Sequence, residues 1–65
     1  MITVNGITHE FNSDITLQEL LVRLELSDSL CAVEVNNTLI SHKQRDEYKL
    51  QEGDTVEIVS LVGGG

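Results

Sequence analysis

Ile15-Thr16-Leu17-Gln18-Glu19-Leu20-Leu21-Val22-Arg23-Leu24 is the stretch on which the fold turns. Thr16 followed three residues later by Glu19 matches a capping box, in which each side chain satisfies a backbone N–H that a helix start leaves open. Ile15 before the cap and Leu20 at the fourth helical position have the spacing of a hydrophobic staple. Leu17, Leu20, Leu21 and Leu24 recur at i, i+3, i+4 and i+7, one apolar stripe on an otherwise polar helix. Glu19 precedes Arg23 by four residues, the favourable order for an ion pair on a helix surface. The pattern predicts a helix from about Leu17 to Leu26, leaving through Ser27-Asp28-Ser29. Such a helix needs one apolar surface to cover.

The flanking segments supply that surface. Met1 to Asn5 alternates, with Ile2 and Val4 on one face and Thr3 and Asn5 on the other, as a half-buried strand does. Asn5-Gly6 follows, the pair a tight hairpin turn needs at positive φ. Ile7 to Phe11 alternates again, grouping Ile7, His9 and Phe11 against Thr8 and Glu10. Beyond the helix, Cys31, Val33 and Val35 alternate with Ala32, Glu34 and Asn36. Asn36-Asn37 is a second turn signal, because Asn tolerates the left-handed region. Thr38 to Ile40 reads as a short strand, Ser41 to Lys49 as a surface crossover with at most a turn of helix. Glu52-Gly53-Asp54 marks a turn before a final strand from Thr55 to Val62. The order β-β-α-β-β-β predicts an α+β fold: a mixed sheet of four to five strands packed on one main helix.

Size and composition narrow the function. A chain of 65 residues is one domain at most, and a domain this small buries only about 60% of its unfolded surface. It has little room for an enclosed active site. With no Trp, one Phe and one Tyr, the core is aliphatic. The single cysteine, Cys31, cannot form an internal disulfide, which fits a reducing compartment. No apolar run is long enough for a membrane span, and no signal peptide is evident, so a cytoplasmic setting is expected. Eleven acidic residues against four basic ones give a net charge of −7, which repels nucleic acid. Lys43, Arg45 and Lys49 are interrupted by Asp46 and Glu47 and read as a solvated loop of mixed charge. An acidic body suits a partner protein with a basic docking surface.

Individual side chains offer little chemistry. Cys31 reads as a small core or strand-edge residue, and His9 and His42 have no second ligand at metal spacing. No metal site and no catalytic constellation is expected, so the chain is not read as an enzyme. Val59 and Leu61 stand out differently. If Val56, Ile58 and Val62 face the helix, alternation puts Val59 and Leu61 on the opposite face, an exposed apolar pair fit for partner docking.

That pair leads into Gly63-Gly64-Gly65. Residues 1–62 make the body, and 63–65 form a flexible tail of glycines that lack side chains to pack. A terminal carboxylate is ionised at neutral pH and is a poor electrophile. Transfer to the α-phosphate of ATP turns it into an acyl-adenylate with a good leaving group, which a sulfur nucleophile can attack. To reach a narrow nucleotide site in another enzyme, the tail must thread a channel, and glycine imposes no Cβ and accepts any φ/ψ.

Thr16-Leu-Gln-Glu-Leu-Leu21, Val33-Glu-Val-Asn36 and Gly53-Asp-Thr-Val-Glu-Ile58, running into Val62-Gly-Gly-Gly65, resemble the ThiS family of thiamine-biosynthesis sulfur carriers. That family belongs to the broader ThiS/MoaD ubiquitin-like group. The resemblance spans nearly the whole chain. It implies a β-grasp (ubiquitin-like) fold with the first and last strands parallel at the sheet centre. It implies adenylation of Gly65, conversion to a thiocarboxylate, and delivery of sulfur for thiazole formation, with Gly63 and Gly64 giving access. The implied partners are a ubiquitin-activating-like adenylyltransferase that uses ATP and magnesium, a sulfur-donating desulfurase system and a thiazole synthase. The chain itself is expected to bind no cofactor and to be a monomer alone. Molybdopterin-type carriers tend to carry a proline near the end of the tail, and this chain has none, which favours the thiamine branch. A ubiquitin-like protein modifier or an interaction domain of the same fold are the other readings. Ser41-His-Lys-Gln-Arg45 departs from the proline-containing segment often found there in relatives.

Overall fold

The computed structural model describes residues 1–11, 15–26 and 31–60. The capping box forms as the sequence requires: the Thr16 N–H donates to Glu19 Oε1 at 2.9 Å and the Glu19 N–H to Thr16 Oγ1 at 3.1 Å. These bonds with Thr16 hold the Glu19 carboxyl below the usual glutamate range; desolvation opposes them, and the Arg23 charge adds a lesser lowering. Helix α1 runs over Leu17–Arg23 and buries Leu17, Leu20 and Leu21 completely, with Leu24 half-buried against the same cluster. Ile15, the first half of the expected staple, is also in that core.

The helix ends earlier than its leucine period predicts. Glu25 takes φ 59°, its N–H bonds the Val22 carbonyl at 3.0 Å, and the Leu26 N–H reaches back to the Leu21 carbonyl at 2.9 Å. This is a Schellman closure, which satisfies the last carbonyls through one residue in the left-handed region. Glycine usually holds that position, so its occupation by Glu25 left no stop signal in the sequence. The expected exit, Ser27-Asp28-Ser29, lies outside the described residues.

Five strands form one sheet in the order β2-β1-β5-β3-β4. Strands β1 (Ile2–Val4) and β2 (Ile7–His9) are an antiparallel hairpin, as are β3 (Cys31–Val35) and β4 (Thr38–Ile40). Both turns use positive φ at both central residues: Asn5 and Gly6 in the first, Asn36 and Asn37 in the second. Strand β5 (Thr55–Ser60) lies between the hairpins, parallel to β1 and antiparallel to β3. The first and last strands thus sit side by side and parallel at the centre. One helix covers one face of a five-strand mixed sheet, the β-grasp arrangement.

The core is aliphatic. Ile2, Val4, Val33, Val35, Ile40 and Val56 from the sheet meet Leu17, Leu20 and Leu21 from the helix, joined by Cys31 and Leu50. Strand β2 stops at His9, short of Phe11, because β1 begins at Ile2, the partner of His9, and offers nothing further to pair. Phe11 instead packs partly buried on the core and stacks on His9 with ring centroids 5.5 Å apart. Ile7, on the outermost strand beside the turn, is 64% exposed.

The crossover also departs from expectation at one residue. It contains a single 3₁₀ turn, His42–Gln44, and it is tied to the helix start by Leu17 N–H to the Tyr48 carbonyl and Gln18 N–H to the Arg45 carbonyl, at 2.8 and 3.0 Å. Lys43 and Lys49 are exposed, as a solvated loop requires, but Arg45 is only 1% exposed. Its Nη2 donates to the Cys31 carbonyl at 2.8 Å, and Nη1 lies 3.9 Å from Cys31 Sγ. A charged hydrogen bond of this kind offsets the loss of water around the guanidinium. Turn residues 52–54 close the fold: Gly53 at φ 89° lets its N–H bond the Met1 carbonyl at 2.8 Å.

Candidate functional site

Strand β5 is the last element before the C-terminal glycines in the sequence, and its pairing fixes it at the centre of the sheet. Val56 is fully buried and Ile58 packs partly buried on the core, whereas Val59 is 60% exposed on the opposite face. The alternation read from the sequence therefore holds through Val59. Leu61, its expected docking partner, and Gly63, Gly64 and Gly65 lie outside the described residues, as does Val62.

The strand is held on both sides almost to its end. On one side β3 pairs along its length, from Val35 opposite Val56 to Cys31 opposite Ser60. On the other, β1 stops at Val4, and the Asn5 side chain takes over. Asn5 Oδ1 accepts from the Ile58 N–H at 2.8 Å, and Asn5 Nδ2 donates to the Ile58 carbonyl at 3.1 Å. An amide side chain supplies one donor and one acceptor, so Asn5 imitates the next rung of the ladder after the backbone has turned away. Asn5 reads from sequence as the end of the first strand and the start of the turn; its bonds to Ile58 depend on β1 and β5 being neighbours.

Cys31 is buried where the sequence places it, at the start of β3 opposite Ser60. Arg45 anchors the crossover to this same corner through the Cys31 carbonyl. The two histidines lie in separate elements, His9 in β2 and His42 in the 3₁₀ turn. Among the described residues, no group of three or more His, Cys, Asp or Glu side chains could hold a metal ion. No helix is long and apolar enough to cross a membrane.

The sheet face away from the helix has a sign. Glu57 of β5 stands directly opposite Glu34 of β3, which in turn stands opposite Leu39 of β4. Val59 stands opposite Ala32 one step along. Glu34, Leu39, Glu57 and Val59 are all exposed. This cross-strand grouping follows from register, which single-strand alternation does not reveal. Chemically, the arrangement is a rigid body with an acidic and apolar face beside the strand that leads to the glycines.

Comparison with known proteins follows the same lines. The model of the ThiS family matches residues 2–65. The sulfur carrier protein ThiS of Bacillus subtilis is 35% identical over 66 aligned positions, which cover all of both chains. A thiazole synthase of Magnetococcus marinus is 36% identical over 64 positions, which take in 98% of this chain and 20% of that protein. The crystal structure of the thiamine biosynthesis protein ThiS from Geobacter metallireducens superposes with a TM-score of 0.80 at 30% identity, covering 98% of this chain and 97% of that one. With the family model matching residues 2–65 and a full-length relative at 35% identity, this chain belongs to the ThiS family.

Proposed function

We propose that this chain is a sulfur carrier in thiamine biosynthesis and that Gly65 is the residue that carries the sulfur. The observation that supports this most is the full-length match to a sulfur carrier of the same size, on a body whose central strand leads into Gly63-Gly64-Gly65. A carboxylate oxygen of Gly65 attacks the α-phosphorus of ATP in an adenylating enzyme, and pyrophosphate leaves. The product is an acyl-adenylate. A sulfide-level donor then attacks its carbonyl carbon, AMP departs, and a thiocarboxylate remains. That thiocarboxylate gives its sulfur to the forming thiazole, and an oxygen from the acceptor or from water takes its place on the carbonyl carbon, which restores the carboxylate.

In this scheme the chain acts as a protein co-substrate and not as a catalyst. ATP and magnesium belong to the adenylating partner, and sulfur comes to that enzyme from a desulfurase system. A thiazole synthase is the proposed acceptor, supported by the thiazole synthases of which a fifth resembles this chain. The body contributes position: Asn5 and β3 hold β5 up to Ser60, Val59 and Leu61 face the partner, and Gly63 and Gly64 let the end pass a narrow channel.

The test is ATP–pyrophosphate exchange catalysed by an adenylating enzyme of this pathway. The full chain supports exchange, and the chain lacking Gly65 supports none while keeping its fold by circular dichroism. Undiminished exchange without Gly65 rules this residue out.

A further inference from the structure

The sheet face opposite the helix sets two like charges against each other, with no cation paired to them among the described residues. Glu34 and Glu57 are direct cross-strand partners, which puts their Cβ atoms about 5 Å apart, an arrangement that destabilises a sheet on its own. Among the described residues neither carboxylate is in an ion pair. The four basic residues are elsewhere: Arg23 is on the helix, Arg45 is buried, Lys43 is in the 3₁₀ turn, and Lys49 bridges to Thr16 at the helix start. The pair is flanked by two exposed apolar side chains, Leu39 at 66% and Val59 at 60%. A costly charge pair kept between apolar side chains has the composition of an interface whose counter-charge comes from outside.

The occupant follows from that chemistry. A second copy of this face would bring two more carboxylates, and nucleic acid or an anionic membrane would be repelled for the same reason. We propose that the adenylating enzyme docks on this face through an arginine whose guanidinium lies between Glu34 and Glu57, with apolar side chains covering Leu39 and Val59. A planar guanidinium offers two parallel edges of donors and can bond two carboxylates at once, which a lysine ammonium does less well. An enzyme that must hold both ATP and a carboxylate tail surrounds its site with positive charge, and the acidic face is complementary to that field. Glu57 precedes Val59 by two residues on one face of β5, so docking here sets the direction in which the strand delivers the tail. This assignment rests on the carrier reading for the identity of the partner.

The experiment measures ATP–pyrophosphate exchange against concentration of the full chain for wild type, the double variant Glu34→Gln/Glu57→Gln, and the control Asp46→Asn/Glu47→Gln. The control removes the same charge from the exposed crossover. The sheet variant is expected to raise KM for the carrier about tenfold, with kcat within about twofold and a weaker dependence on salt. Its urea midpoint stays level or rises, because the repulsion is gone, whereas a structural role for the pair would lower it. A wild-type KM in the sheet variant, or an equal rise in the control, overturns the docking assignment and leaves the carrier reading intact. No exchange with the wild-type chain, using an enzyme active on another carrier, overturns both.

Discussion

Glu25 shows how a single backbone angle can hide from a sequence. The leucine stripe runs on to Leu24 and the next two residues, Glu25 and Leu26, are good helix formers, so nothing marks Glu25 as the turning point. The cost is physical: a residue with a Cβ in the left-handed region loses about 1 kcal/mol relative to glycine. Glu25→Gly is therefore expected to stabilise the protein by about 0.5–1 kcal/mol, seen as a higher urea midpoint at unchanged m-value. A lower midpoint would mean that the Schellman closure does not set the helix end. Arg45 was hidden for a different reason. Its burial depends on the Cys31 carbonyl, 14 residues away in sequence, and no local pattern of Ser41 to Lys49 announces a tertiary acceptor. The turn residues were legible because their requirement is local. Asn5-Gly6 and Asn36-Asn37 need only their own φ values, and all four are positive.

At the scale of elements, the helix start was readable because a capping box is a spacing rule. It also carries a pH dependence. The Thr16 hydrogen bonds lower the Glu19 carboxyl below the ordinary glutamate value, so the stabilisation is fully present above the unfolded-state value and is lost as pH falls through the folded-state value. In a carboxyl titration followed by NMR, Glu19 is expected to titrate below the ordinary glutamate value. Glu19→Gln should flatten the loss of stability in that acid range. A Glu19 midpoint at or above the ordinary glutamate value would deny the box any electrostatic role. The end of β5 gives a second element-scale test. Asn5→Gly keeps the turn conformation but removes both bonds to Ile58. Protection of the Ile58 amide against hydrogen exchange should fall by about 1 kcal/mol, with the Val59 amide, on the β3 side, less affected. Equal protection at Ile58 would show that the side-chain rung holds nothing. Alternation predicted the exposed side of Val59, but pairing register decided that Glu57 meets Glu34 and that Asn5 meets Ile58.

For the whole molecule, one amphipathic helix and strands with one apolar face require a two-layer body, which the periodicities establish by themselves. They do not fix the strand order. That β1 and β5 are parallel neighbours depends on a crossover spanning most of the chain, and here the resemblance to a known family supplied what local patterns lack. The order places β5 between two partners: β1 and the Asn5 side chain hold it on one side, and β3 holds it on the other.

The proposal that Gly65 becomes a thiocarboxylate is tested most directly by intact-mass spectrometry of the full chain after incubation with an adenylating enzyme of the pathway, ATP, magnesium and a sulfide donor. A carrier gains the mass difference between sulfur and oxygen once, located to Gly65 by fragmentation, and gains nothing when ATP is left out. An unchanged mass, with an enzyme shown to be active on another carrier, would contradict the assignment of this chain as the sulfur carrier.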